Sequence, residues 1–146
     1  MSVKDFVQQR RDALIAMRRD FHMYPEPAWL EYRSAAKVAD TLISLGYDVA
    51  LGADVLDLDS RMGLPSDEVM KAAMDRAIKE GANPELVEKM GYGKTAIVAT
   101  MKFGGEGPVV AFRVDMDSND VIEAKEDNHV PTKGGFRSCH DKAMHA

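Results

Sequence analysis

The chain has 146 residues, 45% of them apolar and 29% charged, with a net charge of -5. A chain of this length can bury roughly 70% of the surface it exposes when unfolded; with a globular composition it should fold as one domain or part of one, and extended disorder is excluded. The acidic balance speaks against nucleic acid or an anionic membrane as partner, since both need a basic face, and leaves small molecules or proteins.

In chain order, Ser2 can cap a helix over about 2–24 whose apolar positions Phe6, Val7, Ala13, Leu14, Met17 and Phe21 recur at helical spacing. Pro25 ends it, because the residue before a proline is driven out of helical geometry. A second helix is expected over 28–45, with Trp29, Ala35, Ala36, Val38, Ala39, Leu42, Ile43 and Leu45 inward and Gly46 as its stop. Residues 47–51 read as a strand. Pro65 and Ser66 open a helix over 66–80 with Val69, Met70, Ala73, Met74, Ala77 and Ile78 on one side, closed by Gly81. Asn83 and Pro84 start a short helix over 84–90. Residues 94–102 and 109–117 are β-prone runs joined by a turn-rich link, which suggests an antiparallel hairpin. The pattern is α/β, with a helical insertion between strands. Beyond Asp117 the text is polar and irregular, and the ten methionines fit adaptable core filler.

The single cysteine, Cys139, rules out an internal disulfide, and residues 1–20 are charged and amphipathic, unlike an apolar signal segment. No window approaches the ~18 consecutive apolar residues of a membrane span. A soluble, cytoplasmic protein is expected.

Few motifs carry chemistry on their own. Gly93, Lys94 and Thr95 resemble the tail of a phosphate-binding loop, but Glu88 stands where its first glycine belongs, and the triplet leads into a strand where the motif leads into a helix. A turn followed by a strand start is the better reading. Arg113, Asp115 and Asp117 alternate at the end of an apolar run and would share one face of a strand. Such a strand end can bind a cation or orient a metal-bound histidine, and it can equally be a solvated Arg–Asp pair. His129, Cys139, His140 and His145 are potential zinc donors whose spacing suits no compact site. His22 with Pro25, Glu26 and Glu31 is a ligand cluster or, more simply, hydrogen-bonded structure at a chain reversal.

The run from Arg18 to Glu26, Arg-Arg-Asp-Phe-His-Met-Tyr-Pro-Glu, with Trp29, Glu31 and Leu45-Gly46-Tyr47, resembles the opening of the metal-dependent metallopeptidase and amidohydrolase family that includes aminoacylases, carboxypeptidase G and plant auxin-conjugate hydrolases. Arg61-Met62-Gly63-Leu64-Pro65, Gly93-Lys94-Thr95, the run Phe112-Arg113-Val114-Asp115-Met116-Asp117 and Gly135-Phe136-Arg137-Ser138-Cys139 look most like its branch for p-aminobenzoyl-glutamate, a breakdown product of folate. The resemblance implies the N-terminal part of a mixed-sheet, helix-flanked catalytic domain in a longer two-domain enzyme. It implies a pair of divalent metals, zinc or manganese, a metal-activated water with a glutamate base, a homo-oligomer, and, as partner, a second hydrolase subunit. Only the strand-end motif carries over to residues here. Asp117 matches an aspartate that orients a metal-binding histidine. Asp115 takes the place of a histidine ligand, Arg113 and His145 lie near the site, and Ser118 departs from the alanine usual there.

Members of that branch follow a Met-His-Ala like Met144-His145-Ala146 with Cys-Gly-His-Asp-Gly-His, where the metal ligands begin. The first ligands are therefore expected beyond Ala146, no metal is expected tightly bound to these residues, and the 146-residue piece is expected to be inactive alone. An artificial boundary, proteolysis or a stop codon would each account for the break. In one version of the last, the cysteine codon is UGA for selenocysteine. A natural short, non-catalytic interaction module is the alternative reading, and open apolar faces would favour self-association.

Overall fold

The computed structural model describes residues 2–141 and 143. They form two compact units, one from the described residues of 1–25 and 118–146, the other Glu26–Asp117.

In the larger unit, α3 (Tyr32–Ser44), β1 (Asp48–Leu51), α4 (Asp67–Lys79), α5 (Pro84–Met90) and β2 (Ile97–Thr100) follow in order. β1 and β2 pair antiparallel, with Asp48 opposite Thr100 and Leu51 opposite Ile97. α4 and α5 thus lie in the chain between the strands, as the sequence pattern indicates. The core joins Tyr32, Ala35, Ala36 and Ala39 of α3 to Leu51, Ala73, Ala77, Val87 and Met90. Their helical spacing makes one stripe, and the alanines let the helix axes approach closely.

The element ends follow local chemistry. The Ser66 hydroxyl accepts from Val69 N–H at α4. Asn83 caps α5 by accepting from Glu85 N–H, with Pro84 in the first turn, where a missing N–H costs nothing. Gly46 stops α3 at φ 85, a conformation that favours glycine.

Several expectations need correction. The second helix starts at Tyr32, not near residue 28, because Trp29 has φ 67 and Leu30 N–H closes a turn on Pro27 O. Ile43, Leu45, Val69 and Ile78 are exposed, so the buried stripes are narrower than the apolar pattern. The expected hairpin does not form: β2 takes β1 as its partner, and residues 109–117 make no strand. Val109 and Phe112 are 98% and 92% exposed. A β-prone run without a layer to pack against lacks the burial that stabilises a strand.

In the smaller unit, α1 (Val3–Gln9), α2 (Arg11–Met23) and α6 (Val130–Lys133) are the helices. Ser2 and Asp5 form a reciprocal capping box. The single helix expected over 2–24 is broken at Arg10, whose N–H closes a tight turn on Val7 O while its guanidinium stacks 3.9 Å above the Phe6 ring. Phe6, Val7, Leu14 and Met17, expected inward, are about half exposed. α2 ends at Met23, with Tyr24 as its cap before Pro25.

Candidate functional site

The residues expected at a strand end sit on irregular chain instead. Arg113 donates to both oxygens of Asp115 at 2.7 Å, and both side chains are largely exposed, so this is the solvated pair among the two readings of the motif. Asp117 is exposed as well. Its charge reaches Glu31: burial, foremost, and then the like charges of Asp117 and Glu26 raise the Glu31 carboxyl above the usual range, against the lowering effect of the Thr95 hydroxyl. With Asp115 taken by arginine, one exposed carboxylate is no donor set for zinc or manganese. No metal-dependent step follows from these residues. His145 lies outside the described residues.

Around Glu31 three loops are tied together. Thr95 Oγ1 donates to Glu31 Oε1 at 2.8 Å, and Gly93 N–H donates to the Tyr32 hydroxyl at 2.9 Å, whose acidity burial weakens. Trp29 Nε1 donates to Met62 O at 3.0 Å. The Arg61 guanidinium donates to Leu58 O, Tyr92 O and Gly93 O at 3.0, 3.0 and 3.1 Å. These bonds satisfy carbonyls that irregular backbone would otherwise leave open. Gly93, at φ +59, lets the loops meet, since a Cβ there would stand 2.6 Å from Leu64 Cδ2. The result presents Met62, 83% exposed, and Tyr92, 44% exposed, on a braced backbone.

The His22, Glu26 and Glu31 group resolves into separate structural roles. Glu26 is fully buried and accepts from Arg33 N–H at 3.1 Å and Ser34 N–H at 2.8 Å, which caps the first turn of α3. Arg76 lies 3.5 Å away. Burial nevertheless raises the Glu26 carboxyl, outweighing those donors.

His22 belongs to a node with no signature in the sequence. Glu123, its side chain 1% exposed, accepts on Oε1 from His22 Nε2 at 2.8 Å and His129 Nε2 at 2.9 Å, and on Oε2 from Ser138 N–H at 2.5 Å. A carboxylate accepts only, so both imidazoles carry their proton on Nε2. Burial works to raise Glu123, but the His22, His129 and Ser138 donors overcome it and hold the carboxyl below the usual range. Arg137 braces the same segment by donating to Ala124 O and Glu123 O. Of the potential zinc donors, His129 is thus engaged by Glu123, and His140 donates through Nδ1 to Pro25 O. Cys139 is exposed, and its backbone N–H donates to Met23 O at 2.9 Å. No spacing rule links residues 22 and 123, which is why sequence reasoning missed Glu123.

Comparison with known proteins gives the chain its relatives. No family model matches it. It is 43% identical over 145 residues to one of the subunits of p-aminobenzoyl-glutamate hydrolase from Escherichia coli K12, and 42% identical over 144 residues to indole-3-acetyl-aspartic acid hydrolase of Enterobacter agglomerans. Each match takes in 99% of this chain and 33% of the relative. The crystal structure of an aminobenzoyl-glutamate utilization protein from Klebsiella pneumoniae superposes with a TM-score of 0.79 at 45% identity, over 83% of this chain and 31% of that one. The chain therefore spans about a third of the length of the relatives it matches, and its fold is that of the matching part of the Klebsiella protein.

Proposed function

From this homology to a third of the Escherichia coli p-aminobenzoyl-glutamate hydrolase chain, we propose that the protein is a segment of an amidohydrolase that cleaves the amide between an aromatic acyl group and an acidic amino acid. The observation that carries the reading is the pair of relatives. Their names join p-aminobenzoyl to glutamate and indole-3-acetyl to aspartic acid, and an aromatic acyl group on a dicarboxylic amino acid is what those compounds share.

In the whole enzyme a divalent metal, zinc or manganese, would activate water for attack on the amide carbonyl, held by residues outside this segment. Asp117 is the near-site residue of this segment, in a supporting role, with Asp115 and Arg113 beside it. In this reading the segment alone is inactive, the metal ligands lying outside it. The partners in this reading are a second hydrolase subunit, in keeping with the name of the Escherichia coli relative, and further copies of the same chain. The open apolar run at Val109, Val110, Phe112 and Val114 is the surface that favours such assembly. Among the described residues no helix is long and apolar enough to cross a membrane; in this reading the enzyme works in the cytoplasm.

The test is a chimera in which this chain replaces the aligned third of the Escherichia coli protein, co-expressed with that protein's second subunit. Release of glutamate from p-aminobenzoyl-glutamate by the chimera, and none by the 146-residue chain, is the expected result. A folded chimera without activity, beside an active parent, would sink the enzyme reading in favour of a non-catalytic binding module.

A further inference from the structure

The loop cluster around Met62 has a composition that its role in the fold does not require. Met62 is 83% exposed and Tyr92 44% exposed, yet the backbone beneath them is fixed by the Trp29 and Arg61 bonds. Trp29 stands at φ 67, the one non-glycine residue with positive φ among the described residues. Backbone strain of that kind is held in place by its surroundings and gathers at ligand-binding sites. Thioether and phenol side chains on a rigid base suit an aromatic ring.

Charge points the same way. Arg61 spends its hydrogen bonds on neutral carbonyls. Lys94 folds back over Gly91, where an added Cβ would stand 3.1 Å from its Nζ. Neither cation makes an ion pair among the described residues. In a chain of net charge -5, two cations without an ion pair, beside the exposed Met62 and Tyr92 in the same two loops, would complement a ligand that is aromatic at one end and anionic at the other. The cluster is tied to the buried side of the unit as well, because Thr95 of the same loop holds Glu31 at 2.8 Å.

We propose that Met62 and Tyr92, with Arg61 and Lys94, form the recognition surface for the substrate, Met62 and Tyr92 taking the aromatic ring and the two cations a carboxylate. The assignment rests on the amidohydrolase reading for its substrate class. It concerns residues of this chain that bind without reacting.

Trp29 is the only tryptophan in the sequence, and its indole is bonded to Met62 O, so its emission reports on the surface directly. The 146-residue chain is titrated with N-benzoyl-glutamate, and with N-acetyl-glutamate as the aliphatic control. A saturable emission change with the benzoyl compound alone is expected. Met62→Ala and Lys94→Gln should each weaken it about fivefold, the latter with a reduced salt dependence, at unchanged thermal midpoint. Equal responses to both compounds, no response to either, or variants that bind like the parent would overturn the assignment. The hydrolysis assay on the chimera tests the enzyme reading without reference to this surface, so the two can fail separately.

Discussion

Each unit of the chain buries a glutamate, and the two carboxylates are pushed in opposite directions. Glu26 accepts two backbone N–H groups, yet burial prevails and its carboxyl is raised. Glu123 accepts from two imidazoles and one backbone N–H, and its carboxyl is lowered. Burial works upward on both and more strongly around Glu26; at Glu123 the donors outweigh it. Ring N–H donors that can themselves carry charge favour the ionised carboxylate more than backbone amides do. Glu123 is thus the stronger tie, and Glu26 is a helix cap that bears a desolvation cost.

That difference sets the order of the expected effects. Glu123→Ala leaves His22, His129 and Ser138 N–H without their acceptor, and should cost about 3 kcal/mol of stability, read from the urea midpoint of the smaller unit. Glu26→Ala should cost less, about 1–2 kcal/mol, because losing the cap is partly offset by relief of the buried charge. If Glu26→Ala proved the more damaging of the two, the ranking of donors over burial would fail.

The pH dependence separates the two groups further. The lowered carboxyl of Glu123 gives stability that is complete above the ordinary carboxylate value and is lost as the pH falls through its folded value. The raised carboxyl of Glu26 acts oppositely: the folded state binds its proton more tightly, so its contribution declines as the pH rises from the ordinary value through the folded one. Acid titration followed by amide exchange should show the Glu123 segment loosening first, and Glu123→Gln should flatten that acid limb. Gly93→Ala should cost about 1 kcal/mol, from positive φ and the approach of Leu64. Ser2→Ala should fray α1 by about 1 kcal/mol or less, visible as faster exchange at Asp5 and little change in the global midpoint.

Much of the fold was legible because its boundaries are written locally. Pro25, Gly46, Ser66, Gly81, Asn83-Pro84 and Gly91 mark helix ends wherever the chain goes next, and the structure turns at each. What local pattern does not carry is the partner. Residues 109–117 have the residues of a strand but are mostly exposed, and the bend at Arg10 has no helix-breaking residue in the sequence to announce it. The candidate site shows the same limit. The Arg113–Asp115 pairing was readable from spacing, whereas the tie between Trp29 and Met62, and that between His22 and Glu123, join residues far apart in sequence.

The proposed supporting role of Asp117 in an amidohydrolase site stands or falls on the turnover of the chimera with and without Asp117→Asn. The expected result is a fall in kcat of about 10–100-fold, the usual cost of losing a residue that supports a metal ligand, with KM for p-aminobenzoyl-glutamate little changed. An Asp117→Asn chimera that turns over at the unmodified rate would contradict it.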